Sequence, residues 1–431
     1  MKHSTKRIAA IAIAAALAVA GLSACSTSGS SGGSKTIDVA YWNYGPGAVT
    51  NNTNLQKSFE KAHPGEKVVL TPIAGGGWGE YVANLATLIA SGKHPDIAFM
   101  ASEGVKFLDQ NNLLFPINSL LKTDPEAKKI QADMAPGLLK SFSAGKDIAS
   151  LPFGFNDFVI YYNTDIFKAA GIPAPTGDWT WPQFEAVAKQ LTTSTRYGYA
   201  WTGTEIAPGV LPWIANQGGN LVSSDVCKPT ANSAPVVATY TFLNDLIKQG
   251  ISPAPPASND LISQFENGKI AMFGAGRYVL PSMLGAGFTS FDITRYPTGS
   301  TYQTTLGAGG YPILKSSKNT DLAWEFQKYA ASAAVQDAEI GTKTAPYDSV
   351  PSLRSTMVKT VAAGIPPANS KLYYDAVDNY KTLAPFPAPA KYTQFESAVI
   401  SDSQLIFGGN DTVQQGLDQL QKDLEPIVTC N

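Results

Sequence analysis

Few residues in this chain could carry acid-base or metal chemistry. Of its 431 residues only three are histidine. His3 lies in a basic leader, and His63 and His94 each stand directly before a proline, where turns and helix ends fall. Ser-His-Asp, Cys-His and histidine-based metal sites therefore have almost no material. No GxxxxGK[ST] occurs, and the run Gly75-Gly76-Gly77-Trp78 is not a phosphate loop because no Lys-Ser/Thr follows it. The sequence offers no cofactor motif and no metal-ligand set. Carboxylates are plentiful, with 34 Asp and Glu, and two of them at suitable separation would suffice for a glycosidase. The formal charge is −2 with no basic cluster, which gives no reason to expect nucleic acid as a partner.

The three cysteines, Cys25, Cys227 and Cys430, have different settings. Lys2, Lys6 and Arg7 precede an apolar stretch at residues 8–22, the pattern of a secretory signal and too short for a membrane span. Leu22-Ser23-Ala24-Cys25 resembles the bacterial lipobox, so residues 1–24 read as a lipoprotein signal peptide and Cys25 as the lipidated start of the mature chain. Several acyl chains on one residue hold a bilayer firmly, each buried methylene adding on the order of 0.8 kcal/mol. Residues 26–34 are all Ser, Gly or Thr, a flexible tether. The reading is a body held on the outer face of a cell membrane. In that oxidising compartment Cys227 and Cys430 suggest one disulfide.

The elements that must position a site follow from periodicity. After the tether about 400 residues remain, two domains by the length prior. Hydrophobic residues make up 44% and charged residues 15%, a globular composition. TIDVAYWN alternates as a strand, a helix with Leu55, Phe59 and Ala62 on one face runs from Asn54 to His63, and EKVVLTPI is a second strand. GEYVANLATLIASG is a second helix and PDIAFMAS a third, buried strand. Strands are also expected at FVIYYN, YGYAW and IAMFGAG, and helices at TDIFKAAGI, WPQFEAVAKQLT, PVVATYTFLNDLIKQG and DLISQFENGK. The later chain is helical: TDLAWEFQKYAAS, KYTQFESAVISDSQLIF and TVQQGLDQLQKDL. Alternating strands and helices predict an α/β class with a mostly parallel sheet, and ligands in such sheets bind at the carboxyl ends of strands.

The segments FEKAHPGEKV, ASGKHPDIAFM, LPFGFNDFVIYYNTDIFKAAGI, TWPQFEAVAKQL, FENGKIAMFGAG and NTDLAWEFQKYAAS, in this order, resemble the extracellular solute-binding proteins of ABC importers, of the maltose- and multiple-sugar-binding type. The resemblance runs through nearly all of the mature chain. It implies a two-lobed, periplasmic-binding-protein-like fold of type II, each lobe a mixed, mostly parallel sheet flanked by helices, with the ligand cleft between them. By analogy lobe one is 35–155 plus 294–341 and lobe two 156–293 plus 342–431. Both Cys227 and Cys430 then fall in lobe two, so their bridge leaves the hinge free. The implied function is a lipid-anchored receptor, without catalysis, that captures a carbohydrate by hinge closure and hands it to permease subunits served by a separate ATPase. A Gram-positive source fits the lipid anchor, and a monomer fits closure, which needs each cleft free. The alternatives are a lipoprotein glycosidase and a receptor for a non-sugar solute such as an acid or short peptide.

Sugar pockets combine flat aromatic rings with Asp, Glu, Asn, Gln and Arg. On that basis the expected ligand contacts are Trp42 and Asn43 after the first strand, Trp78 after the glycines, and Glu103 after the third strand. Asn156 and Asp157 fall in the first crossing between lobes. Trp201 ends a lobe-two strand and is expected to face the cleft with Glu205, and Arg277 and Tyr278 close AMFGAGRY, where many relatives carry tryptophan in place of Tyr278. Gly309 and Tyr311 belong to the glycine-rich return segment, and Tyr392 to the C-terminal helices. Trp179, Trp181 and Trp324 read as structural, and Trp213 as packing.

Overall fold

In the computed structural model, which describes residues 35–255, 260–378, 384 and 386–430, β1 (Thr36–Asn43) is the central strand of the first sheet. The signal peptide, the lipobox with Cys25 and the tether lie outside the described residues. β1 buries Ile37, Val39, Ala40 and Tyr41, a near-continuous run suited to a strand covered on both faces. The helix that follows, α1 (Pro46–Ala62), begins at Pro46 rather than Asn54. Its first turns are polar and show no apolar periodicity, but Pro46 opens the helix, and the side chains of Thr50 and Asn52 bond back to the carbonyls of Pro46 and Ala48. His63 caps its C-terminus. β2 (Lys67–Ala74) pairs with β1 in parallel, and α2 (Trp78–Ala90) leads to the third strand.

That third strand is divided. β3 (Ile97–Ala98) pairs in parallel with β1, whereas β4 (Met100–Ala101) pairs antiparallel in another sheet. Phe99 is the joint, its N–H donating to the Ala40 carbonyl at 2.8 Å.

β5 (Pro152–Asp157) and β6 (Val159–Asn163) are separated by Phe158 alone, yet they belong to different sheets. In the second core α3 (Trp181–Leu191) opens with a Thr180–Gln183 capping box, α4 (Leu211–Asn216) is buried on all sides, and α5 (Ala234–Lys248) packs beside it. β7 (Met272–Ala275) and β8 (Phe291–Thr294) flank β6 antiparallel, giving the order β8-β6-β7. The chain returns in β9 (Leu306–Gly310), followed by α6 (Thr320–Ala330) and β10 (Val350–Pro351). The four-stranded sheet has the order β10-β5-β9-β4. Finally α7 (Tyr392–Phe407) and α8 (Val413–Leu424) pack on each other and on α5.

Two differences from the periodicity reading stand out. Among the named strands of the described residues, parallel pairing is confined to the sheet built on β1, and both other large sheets pair antiparallel. The segment YGYAW forms isolated parallel bridges at Tyr197 and Ala200 and no full strand. Gly198 is pressed on α3, where an added Cβ would lie 1.9 Å from the Ala188 carbonyl oxygen, and the N–H groups of Gly198 and Tyr199 turn to the Ile251 carbonyl.

The buried residues form two cores. β6 serves both, because alternate side chains leave opposite faces of a strand: Val159 and Tyr161 enter the first, Ile160 and Tyr162 the second. Cys227 and Cys430 are bonded, with Cα atoms 4.6 Å apart, and tie the C-terminus to the second core region. No helix among the described residues is long and apolar enough to cross a membrane.

Candidate functional site

A cavity of about 720 Å³ opens between the ends of β1 and α2, the strands β5, β7 and β9, and the first turns of α7. Its walls begin with aromatic rings. Trp42, near the end of β1, donates its indole N–H to the Gly75 carbonyl at 2.9 Å. Trp78 is the first residue of α2, and its ring stands 5.9 Å from that of Trp42 in an edge arrangement. Of the glycines before it, Gly75 lies against the first turn of α2, where an added Cβ would sit 2.7 Å from the Tyr81 nitrogen. Tyr44, Phe99, Phe153 and Tyr311 extend the wall, with Phe153 and Tyr311 stacked at 5.2 Å. Phe99 reaches it because the third strand changes sheets there. Phe153 lies opposite the register irregularity at Gly309–Gly310.

β9 brings the opposite requirement, the absence of side chains. A Cβ on Gly309 would sit 2.9 Å from the Phe153 ring, and one on Gly307 would sit 3.2 Å from Glu103 Oε1. Ser102 joins these parts, donating its hydroxyl to Glu103 Oε2 at 3.0 Å and accepting the Ala308 N–H at 3.2 Å. Across the cavity Tyr392, at the start of α7, donates its hydroxyl to Glu396 Oε1 at 3.2 Å. Thr393, its neighbour, touches Gly79 and so holds α7 against α2.

Two of the lining residues carry polar atoms without partners. Trp78 Nε1 and Asn156 Oδ1 are buried and unpaired among the described residues, and such atoms are costly unless something satisfies them. Tyr44 and Tyr278 keep 52% and 40% of their surface open.

Five carboxyl groups line the cavity: Glu103, Glu205, Glu339, Asp348 and Glu396. Burial pushes Glu103 up to about 7, with the Glu205 charge adding to the effect. Burial and the charges of Glu205 and Glu103 raise Glu396 to about 7, while burial and Asp348 raise Glu339 to about 8. Glu205 is raised by burial. Among the described lining residues there is no Lys, Arg or His.

The residues singled out in the sequence divide accordingly. Trp42, Trp78, Glu103, Asn156, Glu205, Tyr278, Gly309, Tyr311 and Tyr392 line the cavity, and Asn43, Asp157, Trp201 and Arg277 do not. Asn43 instead accepts the Gly45 N–H and closes the turn after β1. Asp157 follows Asn156 on β5 and leaves from the other face, 2% exposed. Trp201 is 1% exposed, stacked on Tyr199 and set edge-on to Phe407; it borders a separate cavity of about 240 Å³. Arg277 is 1% exposed and donates Nε–H to the Tyr347 carbonyl. Trp179, Trp213 and Trp324 are buried in the cores and outside the lining.

Sequence reasoning missed Asn51 and Asn52 because the polar first turns of α1 carry no apolar period; Asn52 accepts the Tyr311 hydroxyl at 3.1 Å. It also missed Tyr347, Asp348 and Glu396, whose short motifs carry no sign that the chain folds them back to the cavity. The alternation in PFGFND was available as a signal for Phe153.

The profile of the family described as bacterial extracellular solute-binding protein matches residues 38–337. An uncharacterized lipoprotein in the oleD 5′ region of Streptomyces antibioticus is 27% identical over 213 residues, 49% of this chain and 46% of that one. The sn-glycerol-3-phosphate-binding periplasmic protein UgpB of Brucella abortus is 26% identical, the match covering 63% of this chain and 65% of that one. The matches thus span about half to two thirds of these relatives' length. Among solved structures, an ABC substrate-binding protein of Listeria monocytogenes in complex with cycloalternan superposes with a TM-score of 0.79 at 21% identity, over 91% of this chain and 98% of that one. This likeness is one of fold.

Proposed function

The chain belongs to the bacterial extracellular solute-binding protein family, and on that premise we propose that it is the carbohydrate receptor of an ABC importer. The observation that carries the reading is the cavity, with Trp42, Trp78, Phe153, Tyr278 and Tyr311 offering ring faces beside carboxyl and amide groups. Ring faces suit the C–H faces of a sugar, and the polar groups fix its hydroxyls. The Listeria protein of like fold was solved with a carbohydrate, which agrees with the reading. A phosphate-bearing solute, as the name of the Brucella relative suggests for that protein, meets five carboxyls and no lining cation here. An acidic solute is disfavoured for the same reason, since Arg277 is buried outside the lining.

Capture proceeds by closure. The two lobes bend at the crossings near Phe158 and between β8 and β9, and β10 with Leu353, Met357 and Tyr373 goes with the first core rather than with a second lobe drawn as 342–431. The solute touches both lobes, so the closed form gains contacts that the open one lacks. The closed form docks on permease subunits, and a separate ATPase drives transport. Lipid on Cys25 keeps the receptor at the outer face of the membrane, a reading that rests on the lipobox and agrees with the lipoprotein name of the Streptomyces relative.

The test is a thermal-shift screen of the processed chain against mono-, di- and oligosaccharides, with glycerophosphodiesters and peptides as controls. A ligand that binds only the folded form, at a hundredfold excess over Kd, stabilises by about 2.7 kcal/mol. A shift with one sugar class and no release of reducing ends is the expected result. Turnover of a glycoside would overturn the receptor reading, and a shift confined to the controls would overturn the carbohydrate.

A further inference from the structure

The charge of the cavity is one-sided. Glu103 follows β4, Glu205 lies on the loop before α4, and Glu396 sits one turn into α7, so three distant segments bring carboxyls to the lining of one cavity that holds no described Lys, Arg or His. Glu339 and Asp348 form a second group. None of the five is in an ion pair among the described residues. Glu103 has the Ser102 hydroxyl and Glu396 the Tyr392 hydroxyl as donors, and both are neutral. The Glu205 carboxyl has no side-chain hydrogen bond among the described residues.

Like charges drawn together out of water are unfavourable unless the carboxyls keep their protons or a cation meets them. The protein supplies none here. A neutral sugar can donate hydroxyls to these oxygens but leaves the charge of every ionised carboxyl uncompensated, and an anion adds to it. A protonated amine does what neither can: it donates up to three hydrogen bonds, offsets the charge, and is attracted by the faces of neighbouring Trp and Tyr rings. A further observation points to a ligand in this cavity: Tyr44 and Tyr278 line it and keep half or nearly half of their surface open.

We propose that the solute is a carbohydrate bearing a protonated amine, with the amine held among Glu103, Glu205 and Glu396 and its sugar rings on the Trp42–Trp78 wall. This inference rests on the carbohydrate reading above.

The experiment is calorimetric titration of the processed chain at pH 7 with matched sets: glucosamine and its β-1,4 oligomers, an amine-linked pseudo-oligosaccharide, the neutral glucose oligomers, the N-acetylated oligomers, and spermidine as an amine without sugar. The expected result is an amine-bearing sugar that binds about tenfold or more tightly than its neutral and N-acetylated counterparts. Glu205→Gln and Glu396→Gln should each reduce that ratio toward one, with unliganded melting curves confirming that both variants fold. Equal affinity for neutral and amine-bearing sugars would overturn the inference and leave the carbohydrate receptor standing. Binding of spermidine with no sugar would overturn the carbohydrate reading and keep the cation. Absence of binding by every probe would overturn both.

Discussion

Two aromatic clusters in this protein are built from the same residue types and do different work. In the second core Trp213 donates its indole N–H to the Tyr199 hydroxyl, Trp179 to the Arg295 carbonyl, and the Tyr296 hydroxyl to the Pro208 carbonyl. Their rings meet edge-on or stacked at about 5 to 6 Å, as in Phe184–Trp213 and Tyr199–Trp201. At the cavity, Trp42 meets Tyr44 and Trp78 at similar distances, but the cluster is not closed over: Tyr44 and Tyr278 keep half or nearly half of their surface open. The difference lies in the neighbours. The packing cluster is surrounded by Leu, Ile and Val, the cavity cluster by glycines on β9 and by carboxyls. An aromatic residue becomes a ligand surface when the backbone beside it has been kept bare.

The comparison breaks most visibly in the packing cluster. Trp213→Ala should cost about 3–5 kcal/mol of stability, read by urea unfolding, since it opens a cavity and leaves the Tyr199 hydroxyl unmatched. A loss under 1 kcal/mol would show that this cluster is not closed as described. At the cavity the effect should transfer from stability to binding. Tyr278→Ala should weaken solute binding about tenfold, which is about 1.4 kcal/mol, with unfolding changed by less than ~1 kcal/mol; titration and urea curves on one preparation separate the two. A smaller effect is expected from Gly307→Ala. Its methyl group must displace Glu103, so binding should fall by a few fold, ~0.5–1 kcal/mol, while the melting temperature holds.

The mildest test is pH. Glu103 and Glu396 at about 7, and Glu339 at about 8, hold protons in the folded chain to higher pH than in the unfolded one. The folded state then binds more protons from about pH 4.3 upward. Their contribution is fully present below that pH and is lost as pH rises through about 7 and 8. Asp124 behaves oppositely: it is partly buried, but the Lys328 ammonium and backbone N–H groups hold it down at about 2, so its contribution is lost only in acid. The unliganded melting temperature should fall from pH 5 to pH 8, and Glu396→Gln should flatten that slope. A flat wild-type profile would argue that water relieves the carboxyl groups.

The elements were largely legible because each is decided by its own period. TIDVAYWN alternates, WPQFEAVAKQL carries a helical stripe with a proline in its first turn, and both fold as read. The ordered segments also pointed to the family whose profile covers residues 38–337. Local pattern failed where a partner elsewhere decides the outcome. PDIAFMAS has the periodicity of one strand, yet Phe99 hands it from one sheet to another because β1 and β9 compete for its backbone. YGYAW has strand residues, yet α3 and Ile251 take its backbone bonds.

The site shows the same division. Trp78 after three glycines and the glycines of β9 carry a local sign of close approach, which the sequence displays. Asn156 and Asp157 cannot be told apart by type, and only the pairing of β5 decides that one faces the cavity and the other the core. Arg277 and Tyr278 divide likewise at the end of β7. The gathering of Glu103, Glu205 and Glu396 is beyond any local pattern. Sequence by itself determined the class, the elements and which residues could serve a solute. The tertiary structure decided which of them meet, because electrostatic coupling depends on distance in space, and three segments so far apart in the chain acquire one only when the sheets are paired.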